Sequence, residues 1–453
     1  MTTTHASDPV AADAAGAVYR AFWRWHFYAG LLILPVLMLM ALTGGAYLYR
    51  TEIEGMLYRS MATVEAKVPT ASPDAWVRAA AQASGGKATR VEVPAEAGRA
   101  IRVETQSPSG TRTVFVDPAD AHVTGSIAGV GVMDTVKRIH SLAIAGKIPN
   151  MMIELVAGWT IVMVATGVVL WWPRGASGGV VTVRATPARR VFWRDLHAVT
   201  GVFAAAVVLF LAVTGMPWSA FWGAEVRKLT NDAGWGAPKP PAPAWTWAHA
   251  AHDKGSDPAT PWAMEGVEMH SAHRAHAIQP ALLTLAGAIQ RADAAGVARP
   301  FAVAIPDSPD KAWSVSRLPS RVEETRSLYL SSDGRTLADI DYAQYGPAAK
   351  AIQWGIHTHQ GQQYGEPNRL LMLAGCVAVW LLGISAMIMW WKRRPRGRLA
   401  APPKPADPGA YGALAAVLAP LGLLYPAVGA SLIVVLGLDL LLRPLRRDAA
   451  ARP

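Results

Sequence analysis

Trp23-Arg-Trp-His-Phe-Tyr-Ala-Gly30 and Trp193-Arg-Asp-Leu-His-Ala-Val-Thr-Gly201 each lead into a long uncharged run. In both, a glycine stands four positions after the histidine (His26 to Gly30, His197 to Gly201). A Thr-Gly pair stands at +17 and +18 in both, as Thr43-Gly44 and Thr214-Gly215. A second pairing closes each half. His140 has Gly146 at +6 and Trp171-Trp172 at +31 and +32, and His359 has Gly365 and Trp390-Trp391 at the same offsets. The chain therefore reads as one membrane unit written twice, with four histidines at matching places. Ionisable groups at or inside a bilayer are costly, so these four are functional candidates by default.

Working outward, the composition supports a membrane class. The 453 residues are 52% hydrophobic and only 17% charged, with 18 Trp, a combination rare in soluble domains. Leu31 to Tyr49, Ala198 to Trp222 and Leu370 to Trp391 carry no charge, and Met151 to Trp172 carries only Glu154. Each is long enough to cross ~30 Å of hydrocarbon as a helix. Spans are expected at 24–49, 148–172, 196–222 and 366–391. A fifth apolar region, 410–443, is interrupted by Pro420, Tyr425-Pro426 and Gly429 and reads as a hairpin or a kinked helix.

Lys/Arg asymmetry sets the expected orientation. Arg20 and Arg24, the basic loop 173–194, and Lys392 to Lys404 flank the same ends of the four spans. The N-terminal residues 1–20, that loop and the linker 392–409 are thus expected in the cytoplasm, with 50–139 and 223–358 outside. The +11 formal charge reports this topology. It flanks spans rather than forming a patch on a domain, which argues against a nucleic-acid partner. The first apolar run is too long for a cleavable signal peptide. Cys376 is the only cysteine, which excludes an intramolecular disulfide or a cysteine-ligated cluster within one chain.

The two outside segments read as small α+β modules. The first has a helix over 74–83, then strand patterns at 89–93, 100–104, 113–116 and 123–127. The second has a helix over 282–294 and strands at 301–305, 312–315 and 327–330, with a turn at Asp333-Gly334. Both units start inside, so they form parallel repeats related by a pseudo-two-fold axis along the membrane normal.

Under that axis His26 and His197 are equivalent at one face, and His140 and His359 at the other. Two imidazoles meeting from opposite sides suit a planar haem, one near each face. A histidine at a helix end more ordinarily hydrogen-bonds a headgroup or loop backbone; the matched spacing is what raises these four above that. His357 competes with His359, and the +6 glycine and +31 tryptophan favour His359. The Trp pairs fit an interfacial aromatic belt, and the Thr-Gly pairs fit helix packing. A second cluster, Met264, Met269, His270, His273 and His276, lies in a Pro/Trp/His-rich stretch with His249 and His252 upstream. Imidazole and thioether donors suit copper or iron, although a polar loop that happens to be histidine-rich explains the same residues. No Gly-rich strand-to-helix turn marks a flavin, NAD or nucleotide site.

The pieces Trp-Arg-x-His at 23–26, Arg-x-Leu-His-x3-Gly at 194–201 and His-x-Gly-x2-Tyr-Gly at 359–365 together resemble the PepSY-associated transmembrane family. Leu170-Trp-Trp-Pro-Arg174 and Trp390-Trp-Lys-Arg-Arg394 add to the resemblance, which covers about residues 18–398. It implies an α-helical integral membrane protein built as two parallel repeats of helix, periplasmic PepSY-like α+β module and helix, plus the C-terminal apolar hairpin. It also implies similarity to di-haem ferric-siderophore reductases of the bacterial inner membrane. His26 with His197 and His140 with His359 would then be axial ligands of two b-type haems. Electrons would pass from a quinol or other donor to a periplasmic Fe(III) chelate. Two other readings stay open: a PepSY membrane protein that binds a partner or protease, and a metal-binding accessory that uses the His/Met loop.

Overall fold

The computed structural model describes residues 9–68, 70–173, 178–219, 221–241, 282–308, 310–394, 402, 405 and 409–441. In chain order the elements are α1 (Pro9–Tyr47), α2 (Arg50–Leu57), α3 (Arg59–Ala62), α4 (Pro73–Ser84), β1 (Lys87–Val93), β2 (Ile101–Ser107), β3 (Gly110–Val116) and β4 (Val123–Ala128). There follow α5 (Val132–His140), α6 (Lys147–Trp171), α7 (Arg190–Gly215), α8 (Trp222–Asp232) and α9 (Leu285–Ala294). The chain continues through β5 (Phe301–Ala304), β6 (Trp313–Arg317), β7 (Arg326–Leu330), β8 (Thr336–Asp341) and α10 (Pro347–His359). It ends with α11 (Glu366–Arg393), α12 (Ala410–Leu424) and α13 (Pro426–Leu441). The chain divides into a helical unit (Met1–Gly45, Ala145–Glu225, Leu370–Pro453) and a sheet unit (Ala46–Ile144, Val226–Arg369).

In the helical unit, Gly16–Tyr47, Lys147–Trp171, Arg190–Trp218 and Glu366–Arg393 are each long and apolar enough to cross a bilayer. Their cores combine large side chains with small ones that let backbones approach. Phe22, Trp25, Ala29 and Ile33 of α1 pack with Val156, Trp159 and Val162 of α6. Ala41, Ala204, Val208, Ala378 and Val379 join α1, α7 and α11. Gly158 and Gly375 are two positions where the helix packing leaves no room for a side chain. A Cβ at Gly158 would lie 2.1 Å from Val428, and one at Gly375 would lie 2.7 Å from Val207. The last apolar region forms α12 and α13, broken at Tyr425. It packs on α6, where the Trp159 indole donates to Ser431 Oγ at 2.9 Å.

The sheet unit differs from two separate modules. Its eight strands form one antiparallel sheet in the order β4-β3-β2-β1-β5-β6-β7-β8. Each half is a four-strand meander, and β1 joins β5 from Arg90↔Ala304 to Val93↔Phe301. An unpaired edge strand exposes a row of backbone donors and acceptors; this pairing removes one such edge from each half. The observed strands match those expected within a few residues, with β8 added. Thr336-Leu-Ala-Asp-Ile-Asp341 carries two aspartates and sits at a sheet edge, so its composition reads as loop.

One face of the sheet is apolar. Val91, Val93, Ile101, Val103, Val114 and Val116 of the first half pack with Phe301, Val303, Trp313, Val315, Leu328 and Leu330 of the second. Trp76 and Ala80 of α4 and Leu285, Ala288, Ile289 and Ala292 of α9 cover this face. Full burial of a large apolar side chain contributes roughly 1.5–3 kcal/mol, so this alternating set is the unit's main stabilising term. Pro73 at the first turn of α4 and the left-handed Gly85 (φ 67°) after its last residue delimit that helix.

The opposite face is polar and asymmetric. In the first half, Arg90 pairs with Glu92 (3.2 Å) and Glu104 (3.4 Å), and Arg102 pairs with Glu54 of α2 (3.3 Å). In the second half the same face carries Ala302, Ala304, Ser314, Ser316 and Ser327, with the Ser316 and Ser327 hydroxyls 3.1 Å apart. The Tyr58 ring on Phe115 (6.0 Å) and the Val132 N–H on the Tyr58 hydroxyl (2.8 Å) tie α5 to the first half.

Candidate functional site

The structure places one histidine pair in each unit. His26 on α1 and His197 on α7 stand in the helical unit with ring centroids 6.3 Å apart and ring planes at 89°. Their surroundings are built alike. His26 Nδ1 lies 3.0 Å from Thr166 Oγ1 on α6. That hydroxyl donates its own proton to the Val162 carbonyl at 2.7 Å, so its oxygen accepts from His26 Nδ1–H. His197 Nδ1 lies 3.1 Å from the Leu382 carbonyl and 3.0 Å from Ser385 Oγ on α11. The Ser385 hydroxyl also donates to Leu382 O, so it too accepts. The hydrogen-bond network assigns both rings to the Nδ1–H tautomer. That leaves the Nε2 lone pair of each for another partner.

Thr166 and Ser385 are 219 positions apart, the offset that separates His140 from His359 and Trp171 from Trp390. Met163 and Leu382 share this offset, and the Met163 carbonyl lies beside His26 as that of Leu382 lies beside His197; only the latter has full hydrogen-bond geometry. The sequence reading passed over these residues because a hydroxyl inside an apolar span ordinarily bonds its own helix. Aligning the second and fourth spans by that offset would have exposed them. Thr43 and Thr214 are such helix-bonded cases, donating to the Leu39 and Phe210 carbonyls. Gly167 matters to the same site, because a Cβ there would stand 3.2 Å from His26 Cε1. The +4 glycines differ: a Cβ at Gly30 meets nothing within 4 Å, whereas one at Gly201 would be 3.6 Å from Leu382.

The second pair lies in the sheet unit. His140 is the last residue of α5 and His359 the last of α10. Both therefore end separate short helices that precede the apolar spans, rather than standing on the spans themselves. Burial, together with the neighbouring His140, pushes the His359 pKa down to about 3. The ring is thus neutral at pH 7, the form that ligates metals. His357, 8% exposed, is pushed down to about 4 by burial and by the Arg50 charge, with Glu323 opposing. Both of its ring nitrogens are buried without a hydrogen-bond partner. Nearby, Gln363 accepts from the Val322 N–H and donates to Glu323.

The remaining candidates fall outside these pairs. Met264, Met269, His270, His273 and His276 lie outside the described residues. Among the described residues no group of three or more His, Cys, Asp or Glu forms a metal-binding cluster. Arginines stack on the tryptophans at the end of α11 and on Trp23 of α1. Arg394 lies over Trp391 (3.6 Å) and Trp390 (5.1 Å), and Arg393 over Trp23 (4.5 Å). Asp195, fully buried, accepts from Arg184 and Arg194 at 2.7 Å each and anchors the loop before α7.

The arrangement offers one pair of imidazoles in each unit, and both Nε2 atoms of the first pair are left as lone-pair donors. Compared with known families, the chain matches one described as the PepSY-associated TM region over residues 23–393. No curated protein matches it.

Proposed function

This chain belongs to the PepSY-associated transmembrane family, a multi-pass membrane protein, and on that premise we propose that it is a haem b electron carrier of the bacterial inner membrane. Its substrate is an Fe(III) chelate of the siderophore type, reduced on the periplasmic side with electrons from a quinol or other membrane donor. The two halves are parallel repeats with a cytoplasmic N-terminus, because the Lys/Arg-rich segments flank matching span ends.

The observation that carries this reading is the spacing of His26 and His197. Two imidazoles that shared one metal ion would need about 2 Å for each metal–nitrogen bond and about 1 Å more to each ring centre, roughly 6 Å between centres. The observed 6.3 Å fits, and so does the donor set. Imidazoles that ligate metal through Nε2 characteristically hold Nδ1–H on a carbonyl or another acceptor, as both rings do here. Haem, when bound, supplies a one-electron carrier. His26 and His197 would hold one such group and His140 and His359 the second. Conversion of the substrate iron to Fe(II) weakens its hold on hard oxygen ligands, which releases it for uptake.

The test is a dithionite-reduced minus air-oxidised visible spectrum of the full chain in detergent, with a pyridine haemochrome count. Proteoliposomes loaded with a quinol analogue and presented with an Fe(III) hydroxamate would test turnover. About two haems per chain and chelate reduction are expected. A colourless protein after haem-replete expression sinks the reading.

A further inference from the structure

We propose that Thr166 and Ser385 are paired positioning residues that hold His26 and His197 in one tautomer and set the redox potential of the centre those histidines bind. The inference rests on the reading of His26 and His197 as haem ligands. It goes beyond that reading by assigning the potential of the site to two hydroxyls on α6 and α11.

The geometry carries it in three steps. Each hydroxyl proton is committed to a backbone carbonyl, Val162 for Thr166 and Leu382 for Ser385. Each oxygen can therefore only accept from the imidazole that faces it, which fixes Nδ1–H and presents Nε2. Both residues are fully buried, Thr166 and Ser385 at 0% exposure, so water does not replace them as acceptors. They also share the 219-residue offset of the other matched pairs. A hydroxyl kept only to bond its own helix would have no reason to meet a histidine in both halves.

The chemical consequence has a sign. An acceptor on Nδ1–H pushes electron density toward Nε2 and makes the ring a stronger donor. A stronger donor favours Fe(III) over Fe(II) and lowers the potential. Removing the acceptor therefore raises it. His197 keeps the Leu382 carbonyl at 3.1 Å when Ser385 is lost. His26 has Thr166 as its one well-formed acceptor, so the α6 position has the larger effect.

The experiment is an EPR-monitored redox titration of the full haem-loaded chain, comparing wild type with Thr166→Val, Thr166→Ser and Ser385→Ala. Thr166→Val is expected to raise the reduced-to-oxidised ratio of one centre about tenfold at fixed potential, about 59 mV for one electron. Its haem affinity should fall about 10- to 100-fold. Ser385→Ala moves the same centre less, Thr166→Ser restores it, and the other centre stays put. A Thr166→Val protein that titrates like wild type overturns the proposal. A second readout is independent of haem. In haem-free protein, 15N-histidine NMR should show the Nδ1–H tautomer for His26 and a mixture after Thr166→Val. An unchanged tautomer there overturns the positioning role, whereas wild type that binds no haem overturns the functional reading itself.

Discussion

The two histidine pairs were expected to hold one haem near each membrane face, and the structure sets them on elements of different kinds. His26 and His197 sit on long apolar helices, and each Nδ1 is satisfied by a hydroxyl on a neighbouring helix. His140 and His359 are the last residues of short helices, and His357, two positions before His359, is buried with its two nitrogens unmatched. Hydroxyl acceptors face both rings of the first pair, and in the second pair burial lowers the His359 pKa. A site specified by acceptors has a fixed tautomer before any ligand arrives.

The largest test of this contrast is removal of one ligand at a time. His26→Ala and His197→Ala should each eliminate about half of the bound haem, and His140→Ala and His359→Ala should each eliminate the other half. Haemochrome quantitation together with EPR assigns the losses. If all four variants lose the same centre, the two-site comparison fails.

A smaller effect is expected at His357, and it sharpens the contrast. Two unmatched buried nitrogens cost about 1–3 kcal/mol, so His357→Leu should stabilise the protein by that order while leaving the haem count unchanged. Urea or thermal unfolding monitored in the sheet unit reads the first quantity and haemochrome the second. Loss of one haem from His357→Leu, with retention in His359→Leu, would exchange the two roles.

Much of this was legible from residues. The four spans followed from uncharged runs flanked by arginine, and seven of the eight strands from alternation bounded by Gly, Pro and Asp. The repeat offsets singled out the two histidine pairs. What stayed hidden depends on contacts between distant segments. The junction of β1 with β5 joins residues over 200 positions apart, and nothing in Arg90 to Val93 says which edge it will meet. α5 and α10 were missed because Val132–His140 and Pro347–His359 are short and mixed, and their helicity comes from docking rather than from composition. Thr166 and Ser385 were missed because a hydroxyl in an apolar run looks the same whether or not an imidazole faces it. The unmatched nitrogens of His357 are a property of what surrounds them, which a one-dimensional pattern does not carry.

Within the sheet an ionic setting in β1 and β2 stands against an uncharged one in β5 and β6, and this yields the smallest effect. Burial pushes the Glu92 carboxyl up, but the Arg90 and Arg102 guanidiniums overturn this and hold it below the usual carboxylate range. A depressed folded pKa means that the ionised carboxylate stabilises the fold. That contribution is fully present above the unfolded value near 4.5 and is lost as pH falls through the folded value. The matching face of β5 and β6 carries Ala302, Ala304, Ser314 and Ser316 with no carboxylate, and no such dependence is expected in those two strands. Hydrogen exchange measured from pH 6 down to about 3, corrected for intrinsic rates, should therefore show protection falling in β1 and β2 before β5 and β6. Glu92→Gln should flatten that difference, because the amide has no charge to lose. If both halves lose protection together, with or without the substitution, the sheet opens as one unit and its ionic half has no separate acid sensitivity.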